Sequence, residues 1–134
     1  MIEGRDMTGG PVKLRYGLVG GGPGSFIATV HRMSIAMTGA AELAAGCFSR
    51  DYEKTKATAA ELGIAEDRAY RTFAEMADAE AKRPDKIDFV VIATPNNTHY
   101  EAAKAFLEKG FHVSCDKPLV FTVDQAMDLV KTAR

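Results

Sequence analysis

The sequence predicts a doubly wound α/β fold: a parallel sheet with helices on both faces, in strand order 3-2-1-4-5. Three observations carry this. A glycine-rich stretch from Gly17 to Gly24 lies between an apolar run and a helical pattern. The segment Ile87-Asp88-Phe89-Val90-Val91-Ile92-Ala93 is almost continuously apolar, which suits a strand buried on both faces. Thr72 with Glu75, Thr98 with Glu101 and Thr122 with Gln125 form three capping boxes, each opening a helix after a strand-like run.

Taken in order, residues 1–12 read as a loose polar tail. Within it, Ile2-Glu3-Gly4-Arg5 is also the recognition sequence of a protease used to remove tags, so the tail carries no structural weight. The domain proper is 13–134. Leu14–Val19 is the first strand. Phe26, Val30, Met33 and Met37, spaced by four, three and four, mark a helix over Ser25–Met37 that ends at Gly39. Leu43–Phe48 is the second strand. Asp51 caps a helix through Leu62, and Gly63 stops it. A short third strand falls at Ala69–Tyr70, and the helix capped by Thr72 ends before Pro84. The fourth strand is Ile87–Ala93, followed by a helix stopping at Gly110. Phe111–Cys115 is the fifth strand. The last helix places Val123, Ala126, Met127 and Val130 on one face.

Composition narrows the function classes. The chain has 134 residues, 46% hydrophobic and 26% charged, enough for one domain with a real core. A net charge of −1 gives no electrostatic case for nucleic acid or an anionic membrane. No apolar run approaches the roughly 20 residues of a membrane helix, and no signal peptide is visible, so a cytoplasmic protein is expected. Cys47 and Cys115 lie in apolar runs on strands that are not neighbours, and read as reduced core thiols. His31, His99 and His112 have no zinc-ligand spacing with them, so no metal site is expected.

In such sheets ligands bind beyond the carboxyl ends of the strands, where the strand order reverses. The first strand ends in Gly20-Gly21-Gly22-Pro23-Gly24-Ser25-Phe26-Ile27. Gly20 allows a tight turn, Gly22 lets the backbone approach a pyrophosphate, and N–H groups at the helix start face its charge. Ser25 replaces the usual third glycine; its hydroxyl suits a helix cap or a phosphate contact. A glycine turn without a ligand is the bland alternative. A P-loop is not expected, because no Gly-Lys-Ser/Thr follows.

The second strand ends at Ser49-Arg50-Asp51, where an adenosine ribose would be selected. Ser49 in place of an acidic residue, followed by Arg50, tilts the reading slightly from NAD toward NADP through a charged contact to a 2′-phosphate. Arg50 reads equally as a solvated helix-start residue, and Asp51 reads best as a plain N-cap. Thr94-Pro95-Asn96-Asn97-Thr98-His99 ends the fourth strand where a nicotinamide ribose would lie, although each polar residue there also suits a turn. At the fifth strand's end, Lys117 offers a proton donor to a reacting oxygen and Asp116 an orienting partner.

Together these pieces resemble the Gfo/Idh/MocA family, the relatives of glucose-fructose oxidoreductase and inositol dehydrogenase. The likeness rests on the glycine stretch, Val30-His31-Arg32, Thr94-Pro95-Asn96 with His99, and Cys115-Asp116-Lys117-Pro118-Leu119. The last stands for the family's Glu-Lys-Pro signature, with Asp116 for Glu, and Ala28 stands where relatives often have Gly. The resemblance implies a Rossmann domain holding NAD or NADP through Gly20, Gly21, Gly22, Ser25, Phe26, Ile27, Ser49, Arg50, Thr94, Pro95, Asn96, His99 and Lys117. It implies hydride exchange with a sugar, polyol or related substrate, Lys117 polarising the reacting oxygen, and a homo-oligomer at full length.

Family members continue into a sixth strand and a second α/β domain, which supplies most substrate contacts and usually the acid/base histidine. The expectation is therefore the cofactor-binding half of a larger enzyme, inactive alone. Two other classes stay in view: a non-catalytic NAD(P)-sensing module, and an S-adenosylmethionine methyltransferase, which would want an acidic residue where Ser49 stands.

Overall fold

The computed structural model describes residues 12–134. Residues 1–11, nearly all of the expected tail, lie outside the described residues. The sheet is built on β1 (Leu14–Gly20), which pairs in parallel with β2 (Ala41–Cys47) on one side and β3 (Phe89–Ala93) on the other. β4 (His112–Cys115) extends the β3 side, giving the order β2-β1-β3-β4. Beyond β2, the expected third strand shrinks to a single parallel bridge, Gly46 to Ala69, with the Tyr70 N–H donating to the Gly46 carbonyl at 2.8 Å. Only two residues separate the 3₁₀ turn Glu66–Arg68 from Arg71 and the cap residue Thr72, so no longer ladder fits. The order 3-2-1-4-5 stands, with its first member reduced to that bridge.

Side chains alternate across the sheet with period two. Tyr16, Leu18, Val91 and Ala93 face one layer, made by α1 (Phe26–Thr38) and α2 (Tyr52–Glu61). Val19, Val90 and Ile92 face the other, made by α3 (Phe73–Ala81), α4 (His99–Glu108) and α5 (Val123–Ala133), where Met76, Phe106 and Leu129 fill the core. Burial on both faces explains why these strands read as continuous apolar runs. The β3 strand starts two residues later than the sequence suggests, because the Ile87 N–H donates to the Glu80 carboxylate rather than to a strand.

The helix ends mostly follow their caps. Asp51 accepts from the Glu53 N–H at 3.0 Å, Thr72 from Glu75 at 3.1 Å and Thr122 from Gln125 at 3.2 Å. The Thr98–Glu101 capping box does not form. A 3₁₀ turn, Asn96–Thr98, runs straight into α4, so Thr98 is already helical (φ −109°, ψ −2°) and caps nothing.

The apolar spacing of α1 does not mark its packed face. Phe26 and Met37 are 79% and 86% exposed, and the helix meets the sheet through Ala28, only 1% exposed. A Cβ placed on Gly21 would lie 3.0 Å from that of Ala28, so the close helix–strand approach survives alanine here. In α5, likewise, Leu129 is the buried residue, while Val123, Met127 and Val130 face outward.

Beneath the sheet's amino end lies a buried charged network. Glu80, fully buried, accepts from Arg68 Nε at 3.0 Å, Arg68 Nη2 at 2.7 Å, the Tyr70 hydroxyl at 2.8 Å and the Ile87 N–H at 3.1 Å. It ties the 66–70 connection to the start of β3. Burial, then the bond to Glu80, drives the Tyr70 hydroxyl's pKa well above the ordinary phenol value.

Candidate functional site

The carboxyl ends of β1, β2 and β3 converge on the glycine loop. Gly20 has φ +93°, and a Cβ there would fall 2.6 Å from the Ala93 carbonyl oxygen at the tip of β3. A Cβ on Gly22 would fall 2.9 Å from the Phe48 carbonyl beyond β2. The loop is thus wedged between two strand tips, and glycine is required by the fold as well as by any ligand. It closes with the Ser25 N–H donating to the Gly22 carbonyl at 3.1 Å. The Ser25 hydroxyl caps nothing, and the first turn of α1 holds no acidic residue. The first N–H groups of this 13-residue helix are left without intrahelical partners, an arrangement suited to an anion. Above them is a cavity of about 490 Å³ lined by the loop, Ser49, Lys54, Thr94 and Pro95. Phe26 borders a neighbouring cleft on the far side of the loop, and Ile27 lines neither space.

Ser49 is fixed from both directions by Thr55: its N–H donates to Thr55 Oγ1 at 3.0 Å, and the Thr55 hydroxyl donates back to its carbonyl at 3.1 Å. The Ser49 hydroxyl accepts from the Asp51 N–H, and Asp51 in turn caps α2. A second cavity, about 300 Å³, opens beside β2 and is lined by Phe48, Arg50, Arg71, Phe73 and Pro95 among others. Cys47 also borders it. Burial, then the charge of Glu75, pushes its thiol up to about 11, so it faces the space as a neutral apolar group.

At the β3 end, Thr94 and Pro95 line both cavities. The Thr98 hydroxyl turns back to Thr94 Oγ1 at 2.6 Å and the Pro95 carbonyl at 2.9 Å. Asn96 is exposed and lies outside the lining. His99 is fully buried, with Nε2 3.0 Å from the Thr94 carbonyl and Nδ1 2.7 Å from the Pro118 carbonyl. Both ring nitrogens are committed to main chain, so His99 acts as a strut between two loops and has no free polar atom for a cofactor. Carbonyl oxygens only accept, so a ring N–H donates to one of them and the tautomer decides which.

That strut reaches the turn holding Lys117. The Asp116 N–H donates to the Ile92 carbonyl at 3.0 Å, carrying β4 up to the cleft, and the Lys117–Pro118 bond is cis. Lys117 is exposed and makes no ion pair among the described residues. Asp116 Oδ1 lies 3.9 Å from His31 Nε2, a buried nitrogen with no hydrogen-bond partner. Burial, then Asp116, pushes the Cys115 thiol up to about 11. Neither Asp116 nor Lys117 lines the two cavities; they stand apart at the adjoining ends of β3 and β4.

The family described as "Oxidoreductase family, NAD-binding Rossmann fold" (GFO_IDH_MocA) matches residues 14–134. The chain belongs to the Gfo/Idh/MocA oxidoreductases. This Gfo/Idh/MocA domain is 42% identical over 130 residues to the uncharacterized oxidoreductase YfiI of Bacillus subtilis, covering 96% of the chain and 33% of the relative. It is 39% identical over 83 residues to D-xylose 1-dehydrogenase (NADP(+)) 2 of Haloferax volcanii, covering 61% of the chain and 23% of that protein. The solved inositol dehydrogenase homolog from Azotobacter vinelandii, complexed with NAD+, superposes with a TM-score of 0.87 at 38% identity, over 90% of this chain and 31% of that one. The chain thus spans about a third of the length of these larger relatives.

Lys54, Arg71 and Phe73 line the cavities without having been singled out in the sequence. Arg71 had a findable signal. The strand-end rule, applied to Ala69–Tyr70 as it was to the other strands, points to the next residue. Lys54 stands at the third position of α2, where no motif marks it.

Proposed function

We propose that this domain binds a nicotinamide dinucleotide across the tips of β1, β2 and β3, and that the complete protein exchanges hydride with a sugar, polyol or related hydroxyl compound. The observation that carries the reading is the uncapped N-terminus of α1 beneath a cavity walled by the glycine loop. The pyrophosphate lies over Gly22–Ile27, with Lys54 adding positive charge. The adenosine occupies the cavity of Phe48, Arg50 and Phe73, and the nicotinamide half runs along Thr94, Pro95 and Asn96. The names of relatives support the chemistry: one is a D-xylose dehydrogenase using NADP(+), and a solved neighbour is an inositol dehydrogenase homolog with NAD+.

When bound, nicotinamide supplies the hydride acceptor. The chain's own part would be to border the nicotinamide with Pro95 and to present Lys117 toward the substrate oxygen. There the ammonium donates a hydrogen bond and holds a proton as the carbonyl and hydroxyl forms interchange. Asp116 and His99 set that turn.

Ser25→Asp tests the placement. Aspartate is as good an N-cap as serine and favours the helix dipole, so the fold is kept or stabilised. The new carboxylate meets the phosphates. Thermal-shift titration of the wild type should show a rise in melting temperature with NAD or NADP. The variant's affinity should fall at least tenfold. Unchanged affinity in a folded Ser25→Asp protein refutes the site.

A further inference from the structure

We propose that Arg71 is a specificity-determining residue, the second guanidinium of a site for the 2′-phosphate of NADP; this rests on the dinucleotide reading above. The geometry begins with Tyr52, the first residue of α2 and the second after Arg50. The Arg71 guanidinium carbon lies 4.0 Å from the centroid of the Tyr52 ring, a stacked cation–π contact that holds this long side chain beside the tip of β2.

Arg50 and Arg71 line the same cavity of about 300 Å³, and no carboxylate lines it. Neither arginine has an ion-pair partner among the described residues. Their neighbours differ sharply. Arg68 is taken up by Glu80 and Asp85, and Arg83 by Asp67 and Asp85. Lys56, which also stands over the Tyr52 ring, is paired with Glu53 at 2.9 Å. Glu53, Asp67, Glu80 and Asp85 are thus taken up by other cations, and Asp51 by the α2 cap, while two arginines line one space that no carboxylate lines. Such a pair calls for an anion, and forked guanidinium donors match the oxygens of a phosphomonoester. The apolar walls, Val19, Phe48 and Phe73, suit the adenine ring. The chemistry selected is thus an adenosine carrying a phosphate on its ribose.

The test measures NAD, NADP and 2′,5′-ADP binding to the protein by calorimetry, in the wild type, Arg71→Ala and Tyr52→Leu. Arg71 and its contact lie on the surface, and circular dichroism checks the fold of each variant. Arg71→Ala should weaken NADP and 2′,5′-ADP at least tenfold while changing NAD less than twofold. Tyr52→Leu, which removes the ring that holds Arg71, should show a smaller loss with the same selectivity. Equal losses for NAD and NADP in Arg71→Ala would overturn the proposal in favour of stacking on adenine. NADP binding unaffected by Arg71→Ala would also overturn it, while leaving the dinucleotide site standing. Failure of every dinucleotide to bind the wild type would refute the site reading itself, and the proposal with it.

Discussion

Replacing Glu80 with alanine strips one carboxylate from four donors at once. Arg68, whose side chain is 8% exposed, loses both its short contacts. It keeps only Asp85, at 3.4 Å to the carboxylate and 3.2 Å to the carbonyl. The Tyr70 hydroxyl and the Ile87 N–H lose their acceptor altogether. Leaving one member of a buried ion pair uncompensated costs about 3–5 kcal/mol. The two stranded neutral donors would add about 1–3 kcal/mol each if no water reached them. The vacated space admits water and Asp85 is half exposed, so the charge penalty is taken as the whole effect. Against a total stability of about 5–15 kcal/mol that is a large fraction. With a urea slope of about 2 kcal/mol per molar, the unfolding midpoint should drop by about 1.5–2.5 M at constant slope. Tyr70→Phe removes one hydrogen bond from the same network and should cost only about 1 kcal/mol, or roughly 0.5 M. A Glu80→Ala midpoint within 0.5 M of wild type, in roughly the range of a single lost hydrogen bond, would refute the network's role.

Two other outcomes follow from the cleft and the last helix. His99→Ala should destabilise the domain by about 2–4 kcal/mol, through a cavity and a carbonyl stripped of its donor. It should also speed amide hydrogen exchange at Asp116, Lys117 and Leu119 more than elsewhere; uniform acceleration would argue against a strut. Asp128, held by Lys104 and by the Tyr100 hydroxyl at 2.7 Å, has its pKa lowered by those two partners in that order. A carboxyl whose folded pKa lies below its unfolded value stabilises above the unfolded value. That contribution is lost as pH falls from the ordinary carboxyl value through the depressed folded one. Acid unfolding followed by circular dichroism should thus be shallower in Asp128→Asn, and an identical profile would show that the α4–α5 link contributes nothing.

Where the sequence was informative, the information was local. Val90, Val91 and Ile92 are apolar in succession because both faces of β3 are covered, and Asp51, Thr72 and Thr122 cap because an extended residue precedes each helix. Thr98 carries the same letters and fails, because the turn before it is already helical. Phe26, Met33 and Met37 have helical spacing, but spacing gives the face and not what covers it. The sequence points to a ligand role for Gly22, yet Gly22 is equally demanded by the Phe48 carbonyl, so Gly22→Val would disturb the loop before any phosphate arrived. Arg68 and Glu80 lie 12 residues apart and no local pattern announces their pairing. His99 is legible as a residue at the end of β3; that its ring lies between two main-chain carbonyls depends on a turn 19 residues away.

The central place of β1 has a consequence for how the chain is made. Its edge toward β3 is closed by residues far downstream: the Arg15 N–H meets the Asp88 carboxylate at 2.7 Å across 73 positions of sequence. A ribosome adding about 5–20 residues per second needs roughly 4–15 s to cover that interval. Through it, β1 has β2 as its only available neighbour, and one row of its backbone groups waits without a partner. Non-local pairing of this kind is slow to form, because the chain must close a long loop before any contact repays it. Of the four strands, the one that carries the glycine loop is made first, and it gains its second neighbour only when about two-thirds of these 134 residues have been added.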